Sequence, residues 1–392
     1  MYLEETPEQQ ALREELREYF ARLLTPEVRG ELGPHPGEHC GPAYRAFVRR
    51  LGEDGWLGIG WPSEYGGQGR SPLEQYVFFE ECDRARAPFP LVTLNTVGPT
   101  LMRWGSEEQR RRFLPAILRG EVHFAIGYSE PGAGTDLASL QTRAVRDGEH
   151  YTVNGQKVFT TGAHDADFLW LAARTDPDAP KHQGISVFVV DTTSPGFKVT
   201  PITTLDDGRT NACYFEDVRV PESMRIGEEN AGWRIITTQL NHERVAMSRA
   251  GRILRQYEEV VGWAKETSRD GRRVIDAPWV RLVLARVRAK LDAMRLLNWR
   301  MAWEMSRGEL NPADASAAKV YGTEFLVEAY RSLLEVVGEA GTIKQGSPGA
   351  VLQGELEHDY RAAVVFTFGG GVNEVQREII ATHGLGVPRS KR

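Results

Sequence analysis

Residues 124–136 read FAIGYSEPGAGTD, an alternating apolar stretch that runs into Glu130-Pro131-Gly132-Ala133-Gly134-Thr135 and stops being a strand. Pro131 fixes one backbone angle and removes a donor, while Gly132 and Gly134 permit conformations closed to other residues. Neighbouring N–H groups can then converge on an acceptor-rich ligand. A Pro-Gly turn that merely ends a strand is the commoner meaning of such a stretch, and the dinucleotide fingerprint fails because its third glycine would fall on Leu137. Downstream comes a second element, Asn154-Gly155-Gln156-Lys157-Val158-Phe159-Thr160-Thr161-Gly162, which reads as a hairpin turn followed by an aromatic and two hydroxyls.

The surrounding chain changes period twice. Thr6-Pro7-Glu8-Gln9 offers an N-cap, a proline at the first helical position and a glutamine placed for a capping box, with Leu12, Leu16, Tyr19 and Leu23 following at helical spacing. Residues 30–42 are rich in Gly and Pro and read as a loop. Helices are predicted over 44–56, 73–87 and 106–119, the last capped by Ser106 with Gln109 at the third position. From about residue 122 the period alternates, with Asp147-Gly148 and Asn154-Gly155 as hairpin turns and further strands over 168–173, 185–191, 197–201 and 212–215. From residue 230 the helical period returns in long segments, 233–265, 278–305 and 314–338, with a short one at 373–382; four packed helices are the simplest arrangement. The expected division is an α-helical domain at 1–121, an antiparallel β domain at 122–229 and an α-helical bundle at 230–392.

With 392 residues, 41% hydrophobic and 26% charged, the chain has the composition of a soluble globular protein of two or three domains. A formal charge of -6 without a dominant basic stripe argues against nucleic-acid binding, and Arg110-Arg111-Arg112 reads as a solvated helix face. Cys40, Cys82 and Cys213 are odd in number and contain no CxxC pair, which favours reduced thiols over a disulfide frame or metal site. Residues 1–10 lack the apolar core of a secretory signal, and no apolar run approaches the roughly 20 residues of a membrane helix. A cytoplasmic protein without a membrane span is expected.

The glycine turn and the element at 154–162 together resemble the acyl-CoA dehydrogenase family. The resemblance continues through FEDVRVP at 215–221, GEENAGW at 227–233, NHERVA at 241–246 and FGGGVNEVQREII at 368–380, and so covers nearly the whole chain in order. It implies the acyl-CoA dehydrogenase fold: an N-terminal helical domain, a central β-barrel and a C-terminal four-helix bundle, with FAD held between barrel and bundle. It also implies removal of a proton next to a thioester carbonyl and transfer of a hydride from the following carbon to FAD, leaving a trans-2-enoyl-CoA. That chemistry needs a flavin, a base and polarisation of the thioester.

Carried over position by position, the cofactor contacts are Tyr128, Ser129, Gly134, Thr135, Phe159, Thr160 and Thr161. The family more often has tryptophan where this chain has Phe159, which keeps a stacking face and loses the indole donor. Many members carry the base just before a glycine of the C-terminal motif, where this chain has Gly370. Other relatives carry it on the helix beside the CoA-binding arginine, which matches Glu243 and makes Glu243 the candidate base. Arg244 and Asn241 are the candidate CoA contacts, Thr135 faces the substrate as well, and Gly371 lies where a backbone N–H polarises the thioester oxygen. A surface glutamate with a structural arginine is the plain alternative for Glu243 and Arg244.

Stretches at 238–246 and 311–319 are similar to α-type subunits of actinobacterial steroid side-chain dehydrogenases, implying a bulky acyl-CoA substrate, electron-transfer flavoprotein as acceptor and a heterotetramer. Homotetrameric members complete each flavin site with an RxxFG and a Gln-x-x-Gly-Gly stretch from a neighbour. Here these match Thr267-Ser268-Arg269-Asp270-Gly271 and Glu335-Val336-Val337-Gly338-Glu339. Two carboxylates at the diphosphate position are expected to repel it, so a homologous partner subunit is expected to supply the second half-site; a match shifted by a residue or two, with Arg269 restoring the charge, is the plain alternative but does not account for both glutamates. An acyl-CoA oxidase or flavin monooxygenase on the same fold, and a non-catalytic subunit of a heteromeric dehydrogenase, are the competing readings.

Overall fold

The computed structural model describes residues 4–33, 40–247, 250–308 and 311–388, with 240–247 described as helix backbone only. Helix starts obey the capping chemistry of the sequence. Thr6 Oγ1 accepts from Gln9 N–H at 3.3 Å while Gln9 Oε1 accepts from Thr6 N–H at 3.0 Å, closing a capping box ahead of the Pro7–Leu23 helix. Ser106 and Gln109 do the same for the Glu107–Leu118 helix, and Ser71 and Glu74 for Pro72–Ala85.

The chain divides into two compact units. The first is formed by Met1–Leu24, Ser71–Ala87 and Arg244–Arg392. In it the Pro312–Val337 helix packs against Gly251–Glu266, Pro278–Ser306, Glu355–Ala363 and Asn373–Ile379. Val260, Leu291, Ala329, Leu333 and Val336 are among its buried side chains. The Pro7–Leu23 and Pro72–Ala85 helices join this unit through charge as well as packing: Arg13 meets Glu80 at 2.7 Å and Glu81 at 2.5 Å, and Arg295 reaches Glu80 at 2.8 Å. Burial works to raise the Glu80 pKa, but the Arg295 and Arg13 guanidiniums outweigh it and leave the carboxyl below its ordinary value. The stretch read as one helix over 233–265 is two, Gly232–Met247 and Gly251–Glu266.

The second unit comprises Thr25–Arg70 and Pro88–Glu243. Its strands are β1 Phe124–Gly127, β2 Arg143–Asp147, β3 His150–Lys157, β4 Phe168–Arg174, β5 Ile185–Asp191, β6 Phe197–Thr203, β7 Arg209–Pro221 and β8 Arg225–Ile226. They run β6-β7-β3-β2-β4-β5-β8, with β1 paired to β4. Two expectations are corrected here. The sheet is not a closed barrel: β6 and β8 end the path, β8 is only two residues long, and the halves β6-β7-β3-β2 and β1-β4-β5-β8 join through the single pair Arg143↔Arg174. The sheet is also mixed, because the β2–β3 hairpin between β1 and β4 returns the chain in its original direction, so both β1 and β2 pair with β4 in parallel. The Tyr151 and Phe188 rings, one from each half, meet edge-on with their centroids 4.8 Å apart.

A hairpin turn joins β2 and β3 at the expected place, its two loop residues being Gly148-Glu149, because Asp147 ends β2 and pairs with His150. Asn154-Gly155 is not a turn. It lies inside β3 at a bulge, where the register against β7 shifts between Val153 and Gly155. Asn154 holds the bulge by accepting from Asp217 N–H and donating to Asp217 Oδ1, both at 2.9 Å. Gly155 has φ +148°, and a Cβ there would sit 2.6 Å from Thr142 Oγ1.

Candidate functional site

In the second unit, β1 delivers the glycine turn and β3 delivers the second element beside it. The turn closes on itself, Glu130 and Ala133 exchanging backbone hydrogen bonds at 3.1 Å. Val158 N–H donates to Ser129 O at 2.9 Å, which ties the two elements together. Pro131, Gly132, Gly134 and Thr135 are exposed, and no heavy atom lies within 4 Å of where a Cβ on Gly132 or Gly134 would stand. The turn therefore presents open backbone at its surface.

Phe159 is held at φ +59° with 67% of its surface exposed. A bulky residue in the left-handed region is a true outlier, and its neighbours enforce it. Thr160 N–H donates to Asn211 O and Asn211 Nδ2 donates to Thr160 O, both at 2.9 Å, while Thr161 N–H donates back to Phe159 O at 3.1 Å. Thr160 is fully buried. Thr161 is exposed, its hydroxyl 3.1 Å from that of Thr210. His164 Nδ1 stands 3.3 Å from Asn211 Nδ2, and burial followed by the Arg209 charge lowers its pKa.

Tyr128 differs from a simple ligand contact. Its ring is buried, its hydroxyl donates to Gln239 Oε1 at 2.5 Å, and Trp170 Nε1 donates to that hydroxyl at 3.0 Å and to Gln239 Oε1 at 3.1 Å. This buried triad links β1, β4 and the Gly232–Met247 helix.

Beneath the turn lies a cation absent from the expected set. Lys157, fully buried, donates to Glu130 Oε1 at 2.8 Å and to Tyr128 O at 3.0 Å. Glu130 also accepts from Gln141 N–H at 2.7 Å and Thr142 N–H at 2.9 Å. Burial pushes the Lys157 pKa down to about 8 against the pull of Glu130. Burial likewise works to raise Glu130, but the ammonium outweighs it and holds the carboxyl low. The sequence carried a signal for the pair: an acidic residue opening the glycine turn and a lysine where β3 should bury a side chain.

In the first unit, Gly371 sits at φ +99° in the turn before the Asn373–Ile379 helix. Buried Lys319 braces that turn, donating to Gly371 O at 2.8 Å, Thr367 O at 3.2 Å and Asn373 Oδ1 at 2.7 Å. In the same unit the stretches at 267–271 and 335–339 come together: Arg269 Nη2 donates to Val337 O, and its guanidinium lies over the Trp263 ring at 5.4 Å. The side chains of Glu243, Arg244 and Asn241 lie outside the described residues; the backbone carrying them is helix. No helix among the described residues is long and apolar enough to cross a membrane, and no cluster of metal-ligating residues occurs among them.

Three family models cover the chain in order: the acyl-CoA dehydrogenase N-terminal domain over residues 6–121, the middle domain over 125–218 and the C-terminal domain over 230–385. The chain is 53% identical over 400 residues to acyl-CoA dehydrogenase FadE26 of Mycobacterium tuberculosis, covering all of both proteins. It is similar, at 54% identity and a TM-score of 0.94 over the full length of both chains, to a chain of the Tcur3481-Tcur3483 steroid ACAD. It also matches a chain of the ChsE4-ChsE5 complex from Mycobacterium tuberculosis at 53% identity and a TM-score of 0.94, again over both full lengths. With every domain matched and relatives above half identity end to end, the chain belongs to the acyl-CoA dehydrogenase family and has its fold of N-terminal helical, middle β and C-terminal helical domains.

Proposed function

We propose that the chain is an FAD-dependent acyl-CoA dehydrogenase acting on a bulky CoA thioester, of the kind a steroid side chain forms, and releasing a trans-2-enoyl-CoA. The observation that carries the reading is Phe159. A large aromatic ring held at φ +59° and 67% exposed is costly for the protein alone and useful beneath a planar ligand. The open glycine turn at 132–135 beside it suits the acceptor-rich part of the same ligand. Ser129, Gly134, Thr135, Phe159, Thr160 and Thr161 are the residues that would hold FAD, and Tyr128 shapes the floor below the turn. FAD, when bound, supplies the hydride acceptor.

The remaining steps belong to the chain. Glu243 takes the proton from the carbon next to the thioester carbonyl, and burial beside an acyl chain would raise its pKa toward the working pH. The backbone N–H of Gly371, in the turn braced by Lys319, donates to the thioester oxygen and stabilises the negative charge that develops there. Arg244, with Asn241 beside it, holds CoA. The steroid preference is supported by the Tcur3481-Tcur3483 relative, which is described as a steroid ACAD. Electron-transfer flavoprotein as acceptor and a homologous partner subunit complete the proposal.

The test is turnover with an artificial electron acceptor on a steroid side-chain CoA thioester and on straight medium-chain acyl-CoA. The expected result is enoyl-CoA formation with strong preference for the steroid thioester. Faster turnover of the straight chain would overturn the substrate class, and hydrogen peroxide as the main reduced product under air would replace the dehydrogenase with an oxidase.

A further inference from the structure

We propose that Lys157 is a positioning residue for the cofactor, its buried ammonium fastening the glycine turn at 128–135 to the segment at 158–162 so that both meet one ligand in fixed register. The inference rests on the flavin reading of these two segments. Lys157 is the last residue of β3, immediately before the segment that bears Phe159, so its backbone belongs to one half of the site. Its side chain belongs to the other half, contacting Tyr128 O at 3.0 Å and Glu130 Oε1 at 2.8 Å across the root of the turn. Glu130 extends the brace to Gln141 and Thr142, whose N–H groups it accepts at 2.7 and 2.9 Å. Thr142 in turn packs against the bulge at Gly155. A single buried pair thus spans the turn, the start of β2 and both the bulge and the end of β3.

A buried ion pair is weak evidence of a contribution to stability, because desolvation offsets most of the attraction and an apolar pair of similar size is often as stable. Fixing geometry is the use that remains, and here the geometry fixed is that of two partly exposed segments, which Val158 N–H to Ser129 O also joins. The charged groups facing Lys157 are Glu130 and, from β4, Arg174. Neither Lys157 nor Glu130 is exposed to touch the ligand through its charge, so the role is positioning and not catalysis.

The experiment titrates FAD into the deflavinated protein, in the native assembly with which it purifies, for the unmodified chain, Lys157→Met, Glu130→Gln and the control Val189→Ala. Val189 is a buried β5 residue, paired across the sheet with Trp170, and its truncation is expected to lower Tm while removing no charge or hydrogen bond from the pair. The expected result is that Lys157→Met and Glu130→Gln each raise the FAD dissociation constant about ten- to a hundred-fold, the scale of loss seen when a residue that orients the contacting groups is removed. The bound flavin should also lose the resolved shoulder of its visible absorbance band. Val189→Ala should leave both unchanged despite its lower Tm. Glu130→Gln keeps the shape of the turn, so the question is answered even if Lys157→Met does not fold. The proposal is overturned if both pair variants bind FAD like the unmodified chain, or if their losses are matched by Val189→Ala at equal Tm. If the unmodified assembly binds no FAD at all, the flavin reading fails and this inference falls with it.

Discussion

Phe159 stands at φ +59° with its ring exposed. Holding an L-residue in the left-handed region costs about 1–2 kcal/mol, so Phe159→Gly should leave the ligand-free protein as stable or more so by Tm, while weakening FAD binding through loss of the ring. Equal losses in both measurements would mean that the ring is packing and nothing more. Glu243→Gln is expected to lower dehydrogenation by about 10² to 10⁴-fold, the usual worth of a positioned base, with FAD and acyl-CoA still bound. Loss of flavin together with activity would mark Glu243 as structural. His123 gives a test by acid. Burial, and then the Arg45 charge, push its pKa down to about 4 from the ordinary 6.5, and its ring packs on Tyr44 at 5.4 Å. The unfolded chain therefore takes up this proton before the folded one does. Stability from this residue is complete above pH 6.5 and is lost as pH falls from 6.5 toward 4, by about 3 kcal/mol at most. Unfolding of His123→Phe followed from pH 7 to 4 should show a shallower acid limb than the unmodified chain; parallel limbs would remove His123 from the acid response.

The elements show which local signals decide structure. Asp147-Gly148 and Asn154-Gly155 carry the same two-residue turn signal, yet only the first turns the chain, because β3 continues through the second to pair with β7 on both sides of a bulge. Gly155→Ala should destabilise the second unit by several kcal/mol, since φ +148° and Thr142 Oγ1 2.6 Å from the new Cβ leave it no room. An unchanged Tm would mean that the bulge relaxes freely. Helix starts were legible because capping is local: Thr6 with Gln9 and Ser106 with Gln109 form the boxes that their spacing indicates. The open, mixed sheet was not legible, because whether β6 meets β8 and whether β1 runs parallel to β4 depend on pairing between strands far apart in sequence. The site divides likewise. The exposed positions proposed to meet the ligand, Gly134, Thr135 and Phe159, follow from the family resemblance of the two segments. The frame below them, Lys157 with Glu130 and Tyr128 with Gln239 and Trp170, became visible only once β1, β3, β4 and the Gly232–Met247 helix were brought together.

For the whole molecule, we propose that the chain carries one half of a flavin site and that its stretches at 267–271 and 335–339 do not complete another copy's. In the proposed match, Thr267 and Asp270 fall where homotetrameric members have an arginine and a phenylalanine, and Glu335 and Glu339 fall at the positions proposed to meet the diphosphate. Arg269, the nearest available cation in sequence, is engaged by Val337 O and the Trp263 ring. Like charges a few Å apart cost about 1 kcal/mol even in water and more when partly buried, so FAD held by two copies of this chain is disfavoured. Native mass and flavin content should accordingly show a flavin-poor protein when it is produced alone and an α2β2 assembly with two flavins when a homologous partner is produced with it; a homotetramer with four tightly bound FAD would remove the need for a partner. The most direct measurement of the account is anaerobic: a steroid side-chain CoA thioester is added to the flavin-loaded assembly, and the flavin spectrum and the thioester product are followed together. The expected result is bleaching of the oxidised flavin with one trans-2-enoyl-CoA formed per flavin, and no bleaching with Glu243→Gln. A flavin that stays oxidised in the unmodified assembly while the thioester is bound would contradict it.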